Sequence, residues 1–328
     1  MTKSPTITFP DMTRRGLGAL PWIAAAGVLA YAFFVGGYLT TVMSFALIYV
    51  VFVTGLNVFM GYAGQVSFGH NAFAALSGYT SAYLTTSHGF APLPAFGAGL
   101  ALALSCALIV GYPTLRLKGH YLAMATLAIG LIVYEVAVEW TSVTQGYMGI
   151  SGIPPIGIAG YEITSERGQL AFLTVIVALA TLVSWRIRES RFGRALSAVA
   201  GSEDAARALG ISASRYKLSA FLASAAFAAL AGSLFVHVVG FVSPEVYGLH
   251  MVVLAFTMLY VGGIGTIAGP FVGAVIISLL PEMFRQFKDY QDLAYGAALI
   301  LLLIYAPRGL STISSLFRRA AAKKAVVS

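Results

Sequence analysis

The sequence is poor in charge and nearly free of cysteine. Of its 328 residues, 10% are charged and one, Cys106, is a cysteine. A single thiol excludes an intrachain disulfide framework and a thiolate metal site. Lone in an apolar run, Cys106 reads as a small hydrophobe. An average soluble domain carries about 25% charged residues. Too little polar surface remains here to cover a large soluble core. These shortages exclude a disordered chain, a disulfide scaffold and an ordinary cytosolic enzyme. The phosphate cradle G-x-x-x-x-G-K-[ST] is absent as well, so the chain is not expected to hydrolyse ATP itself. No cofactor and no metal is expected.

What the sequence has instead is apolar length. Hydrophobic residues make up 59% of it. A crossing of the bilayer needs about 20 mostly apolar residues. The candidate spans are Leu20–Leu39, Thr40–Met60, Asn71–Ser87, Pro92–Tyr112, Tyr121–Trp140, Gly168–Trp185, Tyr216–Phe241, His250–Val261, Pro270–Pro281 and Tyr290–Ala306. The fold class is therefore an all-α polytopic membrane protein of about ten transmembrane helices. The eighth and ninth spans are short, which leaves the count open across residues 250–281. The first is read as a retained span rather than a cleaved signal, because more spans follow at once.

Charge supplies the direction. With the N-terminus inside, 17 of the 20 basic residues fall on the inner side, and Arg167, Arg285 and Lys288 do not. This is the asymmetry of the positive-inside rule. It places both termini of the multi-pass chain in the cytoplasm. The organisation follows: a cytoplasmic segment 1–19, a transmembrane domain 20–306 with an inner loop 186–217, and a basic tail 307–328. The formal net charge is +8. Basic residues that flank spans suit anionic lipid headgroups. With no aromatic-interleaved basic patch, nucleic acid is not expected as a partner.

Two polar interruptions carry no charge. The first runs Gly61-Tyr62-Ala63-Gly64-Gln65-Val66-Ser67-Phe68-Gly69-His70-Asn71. The second runs Gly262-Gly263-Ile264-Gly265-Thr266-Ile267-Ala268-Gly269-Pro270. Thr40–Ser87 as one helix would reach about 72 Å against a core of ~30 Å, so the first break must separate two crossings. Irregular backbone at membrane depth must be buried in protein or line a wet cavity. Paired Gly-interrupted segments point to a transporter's path. The breaks align loosely as Gly61-x-x-Gly64-Gln65 against Gly262-x-x-Gly265-Thr266, and the span count puts both on the same side. Asn57, Gln65, Ser67, His70 and Asn71 are the candidate path residues of the first break, and Gly262, Gly263, Gly265 and Thr266 those of the second. Close helix packing competes as a reading of the glycines, since Gly265, Gly269 and Gly273 form a small-residue ridge. His70 taken alone reads as a satisfied interior histidine. Glu135 and Glu139, one helical turn apart, read as a water-facing pair at the outer end of the fifth span.

The inner loop contains Gly201-Ser202-Glu203-Asp204-Ala205-Ala206-Arg207-Ala208-Leu209-Gly210. Ser202 suits an N-cap, Glu203 and Asp204 the positive helix end, Arg207 the negative end, and Gly210 the left-handed C′ position. Ala205, Ala206 and Leu209 make an apolar patch. So short a helix needs a docking surface, on this chain or on a partner. Changing Glu203 and Asp204 together to Lys is expected to leave the fold intact.

Asp204-Ala205-Ala206-x-x-x-Gly210 resembles the EAA-x3-G motif of binding-protein-dependent ABC permeases, with Asp for the leading Glu. The rest of the chain is similar to the LivM-like permease subunits of branched-chain amino acid importers. The stretches that carry the likeness run from Gly55-Leu56-Asn57 to Ala306-Pro307-Arg308-Gly309-Leu310, and include Leu115-Arg116-Leu117-Lys118-Gly119 and Gly149-Ile150-Ser151-Gly152-Ile153-Pro154. The resemblance implies a coupling role for Glu203, Asp204, Ala205, Ala206, Arg207 and Gly210. It also implies a place in the bacterial plasma (inner) membrane, with two cytoplasmic ATP-binding subunits, a homologous second permease subunit and a periplasmic solute-binding protein. The implied solute is a branched-chain amino acid; urea, short amides and small organic acids belong to the same branch. Leu131 and Tyr134 stand where that family often has an acidic and then a basic residue. Two other readings compete: an ion-coupled secondary transporter, and an intramembrane serine hydrolase built on Ser151 and His237.

Overall fold

A computed structural model describes residues 36–158 and 161–284, with scattered positions outside those ranges. The expected spans Leu20–Leu39 and Tyr290–Ala306 lie for the most part outside the described residues, and the segment 1–19 and the tail 307–328 lie wholly outside them.

Every other expected span is a helix. In chain order these are α1 (Tyr38–Leu56), α2 (His70–Ser87), α3 (Pro92–Thr114), α4 (His120–Glu139) and α5 (Glu166–Glu189). After two shorter helices, α6 (Arg191–Gly201) and α7 (Glu203–Ala208), come α8 (Ala213–Val239), α9 (Leu249–Gly262) and α10 (Gly269–Phe284). Among the described residues, 6 helices are long and apolar enough to cross a membrane, one of them α9 with the turn before it. The helix α2, which is outside those 6, and the shorter α10 complete the bundle.

The helices sort by burial. In its most apolar window α1 is 83% buried, whereas α3 is 22% buried. A buried helix in a bilayer must satisfy its hydroxyls without water. In α1, Ser44 donates to the Thr40 carbonyl and Thr54 to the Val50 carbonyl. Between helices, Ser224 of α8 donates to the Gly55 carbonyl at 2.6 Å, and Ser77 of α2 bonds Ser233 of α8 at 2.7 Å. The α1–α8 seam closes on bare backbone, since a Cβ at Gly55 would lie 2.6 Å from Phe227 Cβ. Phe59, Phe73 and Phe221 pack edge-on around the inner part of this seam.

The two ends of the bundle differ. One carries α6 and α7. The other carries short strands: β1 (Ile150–Ser151) pairs antiparallel with β4 (Phe241–Val242), and β2 (Gly157–Ile158) with β3 (Tyr161–Glu162). At that second end His237 bonds Ser81 through Nε2 at 2.7 Å and the Pro154 carbonyl through Nδ1 at 2.8 Å. Both ring nitrogens are thereby used to hold the loop on the bundle. Ser151 pairs with Phe241 in the strand ladder, so the hydrolase reading has no nucleophile–base contact to rest on.

The short helices α9 and α10 form a hairpin. At about 21 Å and 24 Å they fall short of a ~30 Å core. They touch through glycine: Gly262 lies against the Gly269 carbonyl and Gly273 against that of Met258. The small-residue reading of Gly269 and Gly273 thus holds.

Candidate functional site

The two breaks meet. Helix α1 continues without a break into a wider π-helix, Asn57–Tyr62. Such widening leaves backbone groups short of partners and recurs at functional sites. Asn57, fully buried, spans the gap to the second break. Its Nδ2 donates to the Thr266 carbonyl at 2.8 Å, and the Gly265 N–H donates to its Oδ1 at 2.7 Å. The contact is backbone on backbone: a Cβ at Gly61 would lie 2.6 Å from the Gly265 nitrogen. Gly265 itself has φ 75°, open to glycine at no steric cost. Thr266 then starts α10, its hydroxyl donating to the Gly263 carbonyl and accepting from the Gly269 N–H.

The rest of the first break turns inward. Ser67 and His70 are buried and share a hydrogen bond of 2.9 Å through His70 Nδ1. The His70 ring sits among Phe59, Phe73 and Phe221, and its Nε2 has no partner among the described residues. Asn71 donates to the Tyr247 carbonyl at 2.8 Å, while its Oδ1 has none. Phe68 N–H donates to Thr126 of α4, and Gly69 rests on the Thr126 carbonyl. Gln65 is half-buried, its amide turned back to the Ala63 carbonyl. Asn57, Ser67, His70 and Asn71 are therefore buried, whereas Gln65, Gly265 and Thr266 remain partly open. Gly262 and Gly263 are buried in the hairpin.

The same end of the bundle carries the charged loop. Two serines cap successive helices there, Ser190 before α6 and Ser202 before α7, as Ser165 caps α5 at the opposite end. Helix α6 buries Gly193, Ala195, Leu196 and Val199 along one face. Its end supports the first break, where a Cβ on Gly64 would lie 2.9 Å from Ala200 Cβ. Helix α7 has its expected Ser202 cap, and Gly210 follows it with φ 81°.

The neighbouring acids of α7 do different things. Glu203 pairs with Lys217 of α8 at 2.7 Å, with Arg207 at 3.4 Å and with Lys118 at 3.9 Å. The Lys217 side chain is only 3% exposed, so this ion pair is internal. Asp204 is 85% exposed and, among the described residues, pairs only with Arg207, at 3.7 Å. The apolar patch is also split. Ala206 packs with Val199 and Ala213, while Ala205 and Leu209 face out, Leu209 at 80% exposure. The docking surface of α7 is thus its own chain, through Ala206 and Glu203. This corrects the expectation that both acids tolerate reversal, because Glu203→Lys would set a second ammonium against Lys217.

Sequence reasoning missed Lys217, Ala200 and Tyr247 as partners of the site. Lys217 read as one more inner-loop cation, and no local pattern marks Ala200 or the Tyr247 carbonyl. Glu135 and Glu139 are exposed, in keeping with the water-facing reading.

A helical membrane bundle with two apposed Gly-rich breaks, joined through α6 to an exposed capped helix, defines a class: a permease, the membrane subunit of a transporter. Comparison narrows this. The chain belongs to the family described as branched-chain amino acid transport system / permease component, whose profile matches residues 38–306. The high-affinity branched-chain amino acid transport system permease protein LivM of Escherichia coli (strain K12) is 32% identical over 305 residues, covering 86% of this chain and 72% of LivM. The corresponding LivH of Salmonella typhimurium is 25% identical over 286 residues, covering 80% of this chain and 90% of LivH. A probable LivM of Methanocaldococcus jannaschii is 26% identical over 316 residues, covering 81% and 90% respectively. No solved structure matches the chain.

Proposed function

We propose that the protein is the translocating subunit of an ATP-driven importer for branched-chain amino acids. In this reading it has ten spans, with both termini cytoplasmic, in the inner membrane. It works with two cytoplasmic ATP-binding subunits, a homologous second permease subunit and a periplasmic solute-binding protein. The solute assignment rests on the printed names of the relatives and on the absence of charge in both breaks, which suits a zwitterionic or neutral cargo.

The observation that carries the reading is the unbroken run of contacts from α7 to the breaks. Asp204 and Leu209 face out for an ATPase partner. Glu203 fixes α7 to Lys217 of α8, Ala206 fixes it to Val199 of α6, and Ala200 of α6 supports Gly64. Asn57 then passes the link to Gly265 and Thr266. A displacement of α7 on ATP binding is thereby carried to both breaks. A switch of this kind needs contacts that differ between its two states. Opening requires Asn57 to release one of its two backbone partners, and that bond is the element whose loss separates the breaks.

The test is uptake of radiolabelled L-leucine by proteoliposomes holding the assembled complex, with ATP on the ATPase side and binding protein on the other. ATP-dependent accumulation is expected. Accumulation by the purified chain alone, driven by a proton or sodium gradient, would replace this reading with the ion-coupled one.

A further inference from the structure

Asn57–Tyr62 is π-helical, and no other described segment is. A π-helix bonds each N–H to the carbonyl five residues back, an α-helix to the one four back. The wide turn therefore holds about one residue more than an α-helical turn over the same ground. Passing between the two forms needs no unfolding. It shifts by one residue what each face of the turn presents.

The face that matters lies against the second break. Gly61 occupies it, and a Cβ there would lie 2.6 Å from the Gly265 nitrogen and 2.8 Å from its Cα. Ordinary contact is at ~3.5–4.0 Å. In the α form the third residue after Asn57 faces nearly where the fourth faces in the π form, so buried Met60 moves into Gly61's place. Met60 brings a Cβ and a long side chain where bare backbone alone fits. The α form and the joined breaks thus exclude one another.

The two ends of the turn are held by different helices. At the near end, Ser224 of α8 holds the Gly55 carbonyl. At the far end, the Tyr62 hydroxyl bonds that of Ser184 on α5 at 2.9 Å, and Gly64 lies against Ala200 of α6. A movement of α6 against α8 is therefore taken up in the turn. Beyond it, where α2 begins, His70 Nε2 and Asn71 Oδ1 are buried with no partner among the described residues. Unmet buried atoms call for a reason. A second arrangement of the chain just ahead of them supplies one, because it changes which backbone groups they face.

We propose that Asn57–Tyr62 is a two-state wedge, π while the breaks are joined and α once α6 has moved, with Met60 the residue that pushes Gly265 away and so frees Asn57. The inference rests on the reading of the chain as an ATP-driven permease. It is tested in proteoliposomes holding the assembled complex. Met60→Ala keeps the Cβ, and leucine uptake is expected within about threefold of wild type. Met60→Gly lacks it, and uptake is expected to fall about tenfold or more while ATP hydrolysis continues. Deleting Met60 makes Gly61 the third residue after Asn57, so the α form then fits the joined breaks. That variant is expected to keep the wild-type protease pattern at 263–268 and to lose uptake. The same uptake in the Ala and Gly variants, high or low, would overturn the wedge, and so would transport by the deletion variant. Where a variant is not recovered from membranes, the wild-type complex decides. Deuterium exchange of amides 57–65 is expected to differ about tenfold or more between the nucleotide-free complex and one trapped with ATP and vanadate; equal rates would overturn the wedge. If the wild-type complex imports no leucine, the solute assignment fails separately, and the exchange comparison still judges the wedge.

Discussion

The two Gly-rich breaks look alike as strings and are built in opposite ways. The first places side chains: Asn57, Ser67 and His70 are buried and bonded. The second offers backbone: the Gly265 N–H and the Thr266 carbonyl are the groups Asn57 grips. One break is the clamp and the other is what it holds. Glycine has a different purpose in each. At Gly61 it permits contact with the facing chain, and at Gly265 it permits a positive φ. The lesson is that an uncharged polar break is not by itself a solute-lining segment. Part of its polarity is spent on joining it to its counterpart.

The comparison is broken most severely at Gly61. Gly61→Leu drives a branched side chain into the Gly265 backbone, and a loss of about 4 kcal/mol or more is expected. The readout is failure to recover monodisperse protein from membranes. Next comes Glu203→Lys, which leaves Lys217 buried against a like charge. Breaking such a pair costs about 3–5 kcal/mol, and a lowered melting temperature in detergent would record it; unchanged melting would mean that Glu203 is not an anchor. Asn57→Ala removes both bonds across the breaks while keeping the fold, at about 2 kcal/mol. Protease sensitivity in the 263–268 segment should rise, and an unchanged digestion pattern would deny the clamp. The smallest structural effect is expected at half-buried Gln65. Gln65→Leu should shift stability by no more than about 0.5 kcal/mol, yet impair leucine uptake; unaltered flux would reduce Gln65 to packing.

How far the sequence alone disclosed this depends on range. Helices α1 to α5 and α8 to α10 follow from apolar run length, which is local. The Ser202 cap and the left-handed Gly210 follow from residue type at fixed offsets, also local. The apposition of the breaks is not legible, because Asn57 and Thr266 are 209 positions apart and no periodicity links them. The span count did place both breaks on one side, which is the necessary condition. For the same reason the different fates of Glu203 and Asp204 were hidden. Adjacent acids at a helix start look equivalent until Lys217, 14 residues on, selects one of them. Burial of α2 is equally unreadable: its serines and His70 suggest a wet helix, but Ser77 and Ser81 find partners inside the protein, and His70 bonds Ser67 just before the helix.

The central claim is that α7 transmits motion to the breaks through an outward-facing acid that the fold itself does not need. Asp204→Lys tests it most directly, because Asp204 is 85% exposed and its pairing with Arg207 is a surface contact worth little. In proteoliposomes with the full complex, the account predicts wild-type melting, retained ATP hydrolysis and lost leucine uptake. Uptake at the wild-type rate would contradict it.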